Sequence, residues 1–213
     1  VLAINSSTNK MEKSYGANAD FNYRTSFADD KVTFSINQLF FYTYINKPLL
    51  LQQQTNGLYQ FINANGNTDT KGTETNIKIG YADFKLFLGY TFTDTRLKQN
   101  GVSMENPLTP KHRLNTILMY EIEDKLKVGV EAYYFSPQKL SDGTTGKEYV
   151  ICGFMIEKLW EKFSIYLNFE NFTDTRQTRF DSIYTGTITN PVFRDIYAPL
   201  DGFLINGGIK LKL

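Results

Sequence analysis

The chain has 213 residues, with 23 basic and 22 acidic side chains and a formal net charge of +1. That balance gives no electrostatic case for nucleic acid or an acidic partner. A transmembrane helix is excluded, because no run of about 18 apolar residues exists.

Aromatics nevertheless make up 15% of the chain, with 17 Phe, 14 Tyr and one Trp, which is rich for a soluble domain. Alternating strands average out to a polar composition, so membrane strands remain open. Val1-Leu2-Ala3-Ile4 has no basic flank and no long apolar core, so it does not read as a signal peptide. It also lacks an initiator Met, and the expectation is a piece of something longer. Residues 1–13 are polar and unpatterned, as in a loop or the frayed top of a strand.

The first alternating segment is Ser14–Phe27, where Tyr15, Ala17, Ala19, Phe21, Tyr23, Thr25 and Phe27 oppose a polar set. A period of two places each set on its own face of a sheet. Ala28-Asp29-Asp30 predicts a tight turn. Lys31–Lys47 resumes the alternation with Val32, Phe34, Ile36, Phe40, Tyr42 and Tyr44. Leu39 and Phe41 make both faces apolar near its end, as at a membrane interface or under a plugging element.

A connection rich in Gln, Asn and Gly runs from Pro48 to about Gly66, with room for a short strand over Leu58–Ile62 above the membrane. Further strands are expected over Thr68–Tyr81 and Phe84–Arg96, about the Ala82-Asp83 turn. Lys98–Pro110 reads as a loop. His112–Ile122 and Lys125–Phe135 flank a Glu123-Asp124 turn, with Leu126, Val128, Val130, Ala132 and Tyr134 facing outward. Ser136–Gly146 is a Gly/Asp/Pro loop, and Glu148–Lys158 a strand ending near Leu159-Trp160-Glu161. Lys162–Asn171 and Phe203–Leu213 are two clean alternating strands about the long polar excursion Phe172–Gly202. The count is nine strands.

Short connections at 28–30, 82–83, 123–124 and 159–161 alternate with long ones at 48–67, 97–110, 136–147 and 172–202. In an up-and-down sheet this puts all short turns at one end and all long loops at the other, as in an outer-membrane barrel. Spans of about 9–11 residues suit a tilted strand crossing the hydrocarbon layer. A self-contained soluble barrel or sandwich, acting as a binding module, is the alternative. Its outer face would carry charge, whereas here the aromatic and aliphatic face is nearly free of it.

Several short motifs resemble those of TonB-dependent outer-membrane receptors. Glu170-Asn171-Phe172-Thr173-Asp174 resembles a signature near the family's C-terminus. Lys71-Gly72-Thr73-Glu74, Gly89-Tyr90-Thr91-Phe92-Thr93-Asp94 and Thr109-Pro110-Lys111-His112-Arg113-Leu114-Asn115 resemble earlier barrel motifs in the same order. The run Ile196–Gly202 is similar to receptors of Bacteroidota type. The resemblance implies an all-β, antiparallel up-and-down transmembrane barrel of about 22 strands around an N-terminal plug. Residues 1–213 would form its C-terminal portion, with no plug present. It further implies partners: outer-membrane lipid, the plug and remaining strands, an energy-transducing TonB complex, and a scarce nutrient such as an iron chelate (a siderophore), haem, cobalamin or a glycan. The family often ends in an aromatic, from which Leu213 departs.

No enzyme chemistry, cofactor or metal site is expected. His112 is the one histidine and reads as a solvated strand end. Ser136 or Ser141 could in principle join it in a hydrolase, but no G-x-S-x-G elbow exists. Cys152 has no cysteine partner. Asp29, Asp30, Asp94, Asp124 and Asp174 are assigned to turn chemistry, and Gly207-Gly208 to close packing against an element in the lumen. Trp160, Phe163 and Tyr166 are expected at a periplasmic aromatic rim. The loop Phe172–Gly202 carries Arg176, Arg179, Asp181, Tyr184, Arg194, Asp195 and Tyr197. That mixture suits either a ligand or a structural cap, and no individual ligand contact is named.

Overall fold

The computed structural model describes residues 9–212; the expectations placed on residues 1–8 and on Leu213 lie outside these residues. Nine strands follow one another as an antiparallel meander: β1 (Lys13–Phe27), β2 (Val32–Asn46), β5 (Gly66–Tyr81), β6 (Phe84–Gln99), β8 (His112–Ile122), β9 (Leu126–Phe135), β10 (Tyr149–Leu159), β11 (Phe163–Glu170) and β14 (Leu204–Leu211). β7 (Val102–Glu105) pairs with the upper end of β6 and brings the sheet to ten strands. The hairpin β3 (Leu49–Gln53) and β4 (Tyr59–Asn63) stands in the first long connection. A short helix α1 (Gln177–Phe180) and the hairpin β12 (Tyr184–Thr187) and β13 (Asn190–Phe193) stand in the last. No helix among the described residues is long and apolar enough to cross a membrane, which says nothing of strands.

Register fixes the two faces. Phe34, Ile79, Leu86 and Leu118 lie side by side across β2, β5, β6 and β8, and Val130 and Phe154 continue the row. The adjacent row on the opposite face is Ser35, Lys78, Phe87, Ile117, Glu131 and Gly153. The apolar face faces away from the rest of the chain: Leu118 is 46% exposed and Ile209 66%. A soluble sheet would bury such rows, so this belt needs a non-aqueous surround. On β6 it runs from Phe84 to Phe92, about the 9–11 residues a tilted strand needs to cross hydrocarbon. The expected outward set Leu126, Val128, Val130, Ala132 and Tyr134 lies on this face.

Aromatics mark the lower edge of the belt. Phe84 and Tyr120 sit 4.9 Å apart, and Trp160 stacks on Phe163 at 4.7 Å, as amphipathic rings do at a membrane–water boundary. Tyr166 does not join them. It pairs with Gly208 on the polar face, because one residue of register reverses the side a chain points to.

The short turns lie where the sequence places them, and several use left-handed backbone: Ala28, Asp29 and Asp30 at φ 57, 54 and 62, and Asp124 at φ 54. Asp94 corrects the turn assignment. It sits inside β6 opposite Lys71 and accepts from Arg96 Nε at 3.1 Å, so it is a strand residue in a cross-strand charge pattern. The loop expected over Lys98–Pro110 is likewise in part an extended hairpin, β6–β7 turning at Asn100-Gly101.

Candidate functional site

Two regions can meet a ligand: the polar face of the sheet and the interlocked long loops above it. The polar face carries several grooves, among them one of about 410 Å³ and a larger one of about 630 Å³. Asn22, Asn37, Asn76 and Asn115 share one level across β1, β2, β5 and β8, with Gly89 between the last two. A Cβ on Gly89 would stand 3.1 Å from Asn76 Oδ1, so the glycine leaves room for the flanking amides. Asn37 donates to Asp20 at 3.0 Å, Asn76 to Glu74 at 2.7 Å, and Asn168 to Asn206 at 3.0 Å. Side-chain amides of this kind offer donors and acceptors to an uncharged polar surface.

The larger groove is lined by Met119, Tyr133, Ile151, Met155 and Asn168 around Glu131. Tyr133 donates to Glu131 at 2.7 Å, and a Cβ on Gly153 would come within 2.4 Å of Glu131 Oε1. The missing side chain at Gly153 thus lets the carboxylate lie flat across β10. Lower down, Glu121 is neutralised by Lys85 and Lys127, at 2.5 and 3.1 Å, and Glu157 by Lys210 at 3.0 Å.

The Gly207-Gly208 pair packs closely within the sheet itself. A Cβ on Gly208 would meet Tyr166 Oη at 2.7 Å and its ring at 2.9 Å; Lys210 Nζ lies 4.9 Å from the same ring centroid. Within this chain the close neighbour of Gly208 is therefore a tyrosine of the adjacent strand β11. Phe41, which made both faces of β2 apolar, projects over Gly72, where a Cβ would come within 2.5 Å of the ring.

At the loop end, Gln177 is fully buried (0% exposed). Its Oε1 accepts the backbone N–H groups of Tyr197 and Ala198, at 2.8 and 3.1 Å, and its Nε2 donates to Asp195 O at 2.9 Å. Leu140, Tyr197 and Ala198 form a small core with Tyr149 and Phe180 packed against it. Tyr197 Oη donates to Asp181 at 2.7 Å and accepts from Lys147 N at 2.8 Å. Arg194 donates to Asp181 at 3.0 Å and to Thr144 at 2.9 Å, while Ser141 N donates to Asp195 at 2.5 Å. Leu108 N reaches Lys139 O at 2.9 Å, tying a third loop in.

Burial by itself would raise the Asp181 carboxyl, but the Tyr197 hydroxyl, the Ser182 N–H and Arg194 together hold it below the usual carboxylate range. Burial, with the Asp181 acceptor, pushes the Tyr197 phenol up to about 12. Of the loop residues weighed in the sequence, Asp181, Arg194, Asp195 and Tyr197 are thus spent on holding loops together. Arg176 donates to Asp174 at 2.9 Å, and Arg179 pairs with the same carboxylate. Tyr184 stands exposed on β12.

The Glu170–Asp174 motif has a structural role. Asn171 takes left-handed backbone (φ 45) and accepts from Thr175 N at 2.9 Å; it donates to Thr175 O at 2.8 Å and Asp201 O at 3.2 Å. It thereby clamps the start of the loop to its end.

His112 lies exposed on the outward face and bonds Tyr90 Oη through Nδ1 at 2.8 Å. Ser136 accepts the His112 backbone N–H at 3.0 Å, not the ring, and Ser141 belongs to the loop network. Cys152 faces outward beside Ala132. Among the described residues no group of three or more His, Cys, Asp or Glu is placed to hold a metal.

No protein-family model matches the chain, and no curated protein matches it. Solved structures do match in fold. The FrpB iron transporter from Neisseria meningitidis aligns with TM-score 0.64 and 14% identity, over 97% of this chain and 32% of its own. The siderophore receptor PirA from Acinetobacter baumannii gives 0.60 and 16%, over 93% and 32%. The pyoverdine outer membrane receptor FpvA from Pseudomonas aeruginosa gives 0.58 and 16%, over 94% and 30%. The sheet is therefore part of a barrel of this kind, and the chain spans about a third of the length of these structures.

Proposed function

We propose that this chain is the C-terminal barrel segment of a TonB-dependent outer-membrane receptor that binds and imports a nutrient. The observation that carries this reading is the two-faced meander. Its exposed apolar belt is one strand-crossing tall; all its short turns are at one end and its interlocked long loops at the other. The strands missing from the barrel, an N-terminal plug and the coupling to a TonB complex belong to the rest of the protein. Iron chelates, haem, cobalamin and glycans are the ligand classes proposed, met first by the loops and then by the amide-lined polar face. The motif run before the last strand suggests a Bacteroidota-type source.

Catalysis is not part of this function. No metal or cofactor is proposed, and Asp181, Arg194, Asp195 and Tyr197 of the cap are committed to other loop groups. The test is the gene context. Coding sequence upstream for a plug and about thirteen more strands supports the receptor. A signal peptide directly before Val1 would instead favour a self-contained binding module. Uptake by the complete protein should also stop when its host's TonB is removed.

A further inference from the structure

The hairpin β12–β13 holds two bare rings at the loop end. Tyr184 and Phe193 stand opposite each other in its register, so both rise from one face, and they are 43% and 76% exposed. The next pair on that face, Gly186 and Pro191, adds no polar side chain. Ser182, Thr185, Thr187, Thr189 and Asn190 supply hydroxyls and an amide around it, and no side chain from Ser182 to Phe193 is charged at neutral pH. The hairpin is anchored at its base. Arg194 N donates to Ile183 O at 3.0 Å, and Arg194 Nη1 reaches Asp181 at 3.0 Å, next to the core that Gln177 closes. A two-stranded hairpin alone is marginal in water, so this anchorage keeps the two rings in place. The loop as a whole, residues 172–202, has three arginines against four aspartates. Arg176 and Arg179 both pair with Asp174, and Arg194 pairs with Asp181. Each cation of the loop is thus already matched.

We infer that the Tyr184–Phe193 face is a stacking platform for the sugar rings of a neutral oligosaccharide. The inference rests on the receptor reading and narrows its ligand classes to one. Exposed apolar area on a loop that faces water marks a contact surface, and rigid aromatic rings give contact area at little entropic cost. A pyranose presents a face of C–H groups that lies flat on such a ring. Its hydroxyls point sideways, where uncharged hydroxyl and amide side chains exchange hydrogen bonds with them. The row Asn22, Asn37, Asn76 and Asn115 on the polar face of the sheet offers the same uncharged chemistry. An anionic iron chelate, or haem with its carboxylates, meets the opposite situation: an excess of aspartate and arginines already paired.

The test uses the complete protein in detergent against an array of neutral α- and β-linked hexose oligosaccharides, with a ferric catecholate chelate, haem and cyanocobalamin as the competing probes. Saccharide binding is expected, and added salt should leave it unchanged. Tyr184→Ala and Phe193→Ala should each weaken it about tenfold. Tyr184→Phe, which keeps the ring, should retain most of it, and Val192→Ala, on the other face of the hairpin, should leave it unchanged. Amide exchange across residues 172–202 checks that the alanine variants keep the loop folded. Three results overturn the inference: no oligosaccharide binds, the ring variants bind as well as the wild type, or one of the competing probes binds in place of the saccharides. The receptor reading fails separately. Saccharide binding that depends on both rings, in a protein whose uptake is independent of TonB, would overturn that reading and leave the platform standing.

Discussion

Gln177 has no charge and no exposed atom, yet three backbone groups of residues 195–198 close on its amide. Gln177→Ala leaves the N–H groups of Tyr197 and Ala198 without an acceptor, at about 1–3 kcal/mol each. Faster amide exchange across residues 172–202, with the strands unchanged, is the expected outcome. Gly146→Ala acts on the same core from the other side. Its methyl would sit 2.7 Å from the Tyr197 ring, so either Tyr197 moves or the loops part, at about 1–3 kcal/mol. Protease nicking near 140–147 should then accelerate.

The latch is also pH-dependent. The folded Asp181 carboxyl lies below its unfolded value near 3.9, so its contribution is present above pH about 4 and is lost as pH falls through the folded value. Tyr197 is raised, so its contribution is complete below pH about 10 and is lost as pH rises through about 12. Loop protection measured against pH should show a plateau between those limits. At this scale the sequence showed which residues were polar enough to matter, including Asp181 and Tyr197. It could not show that they bond to each other, because their partners are 16 residues away or more.

The strands were the most legible level. A period of two survives in β9 and β11, and in β6 from Phe84 to Phe92, because one face there meets a single apolar environment. His112–Ile122 coincides with its expected bounds. What escaped was short: α1, β7 and the β12–β13 hairpin have four residues per element. Such pieces are held by tertiary contacts such as Gln177 to the 195–198 backbone, and carry no periodicity of their own. Tyr166 and Gly208 escaped for another reason, since a glycine pair in a strand does not say which neighbour fills its space.

Element-level consequences follow from the faces. Leu118→Lys places a charge in the middle of the outward belt and should cost about 2–4 kcal/mol in bilayer unfolding experiments. Asn115→Lys, three residues away on the opposite, polar face, should cost well under that.

At the scale of the molecule, the described sheet has two free edges, β1 and β14. In hydrocarbon each unpaired backbone group costs several kcal/mol, so edges there must be closed by other strands. Residues 1–213 expressed alone should therefore fail to give a heat-resistant folded band in lipid, whereas the complete protein should give one. The match to about a third of each related structure agrees with that division.

The central claim is that one face of this sheet lies in lipid and the other in a lumen. Spin labels placed one at a time along β6 of the complete protein in proteoliposomes test it most directly. Labels at Leu86, Leu88 and Tyr90 should be reached by oxygen dissolved in the bilayer, and those at Phe87, Gly89 and Thr91 by a water-soluble relaxing agent. Equal water access on both sets would contradict it.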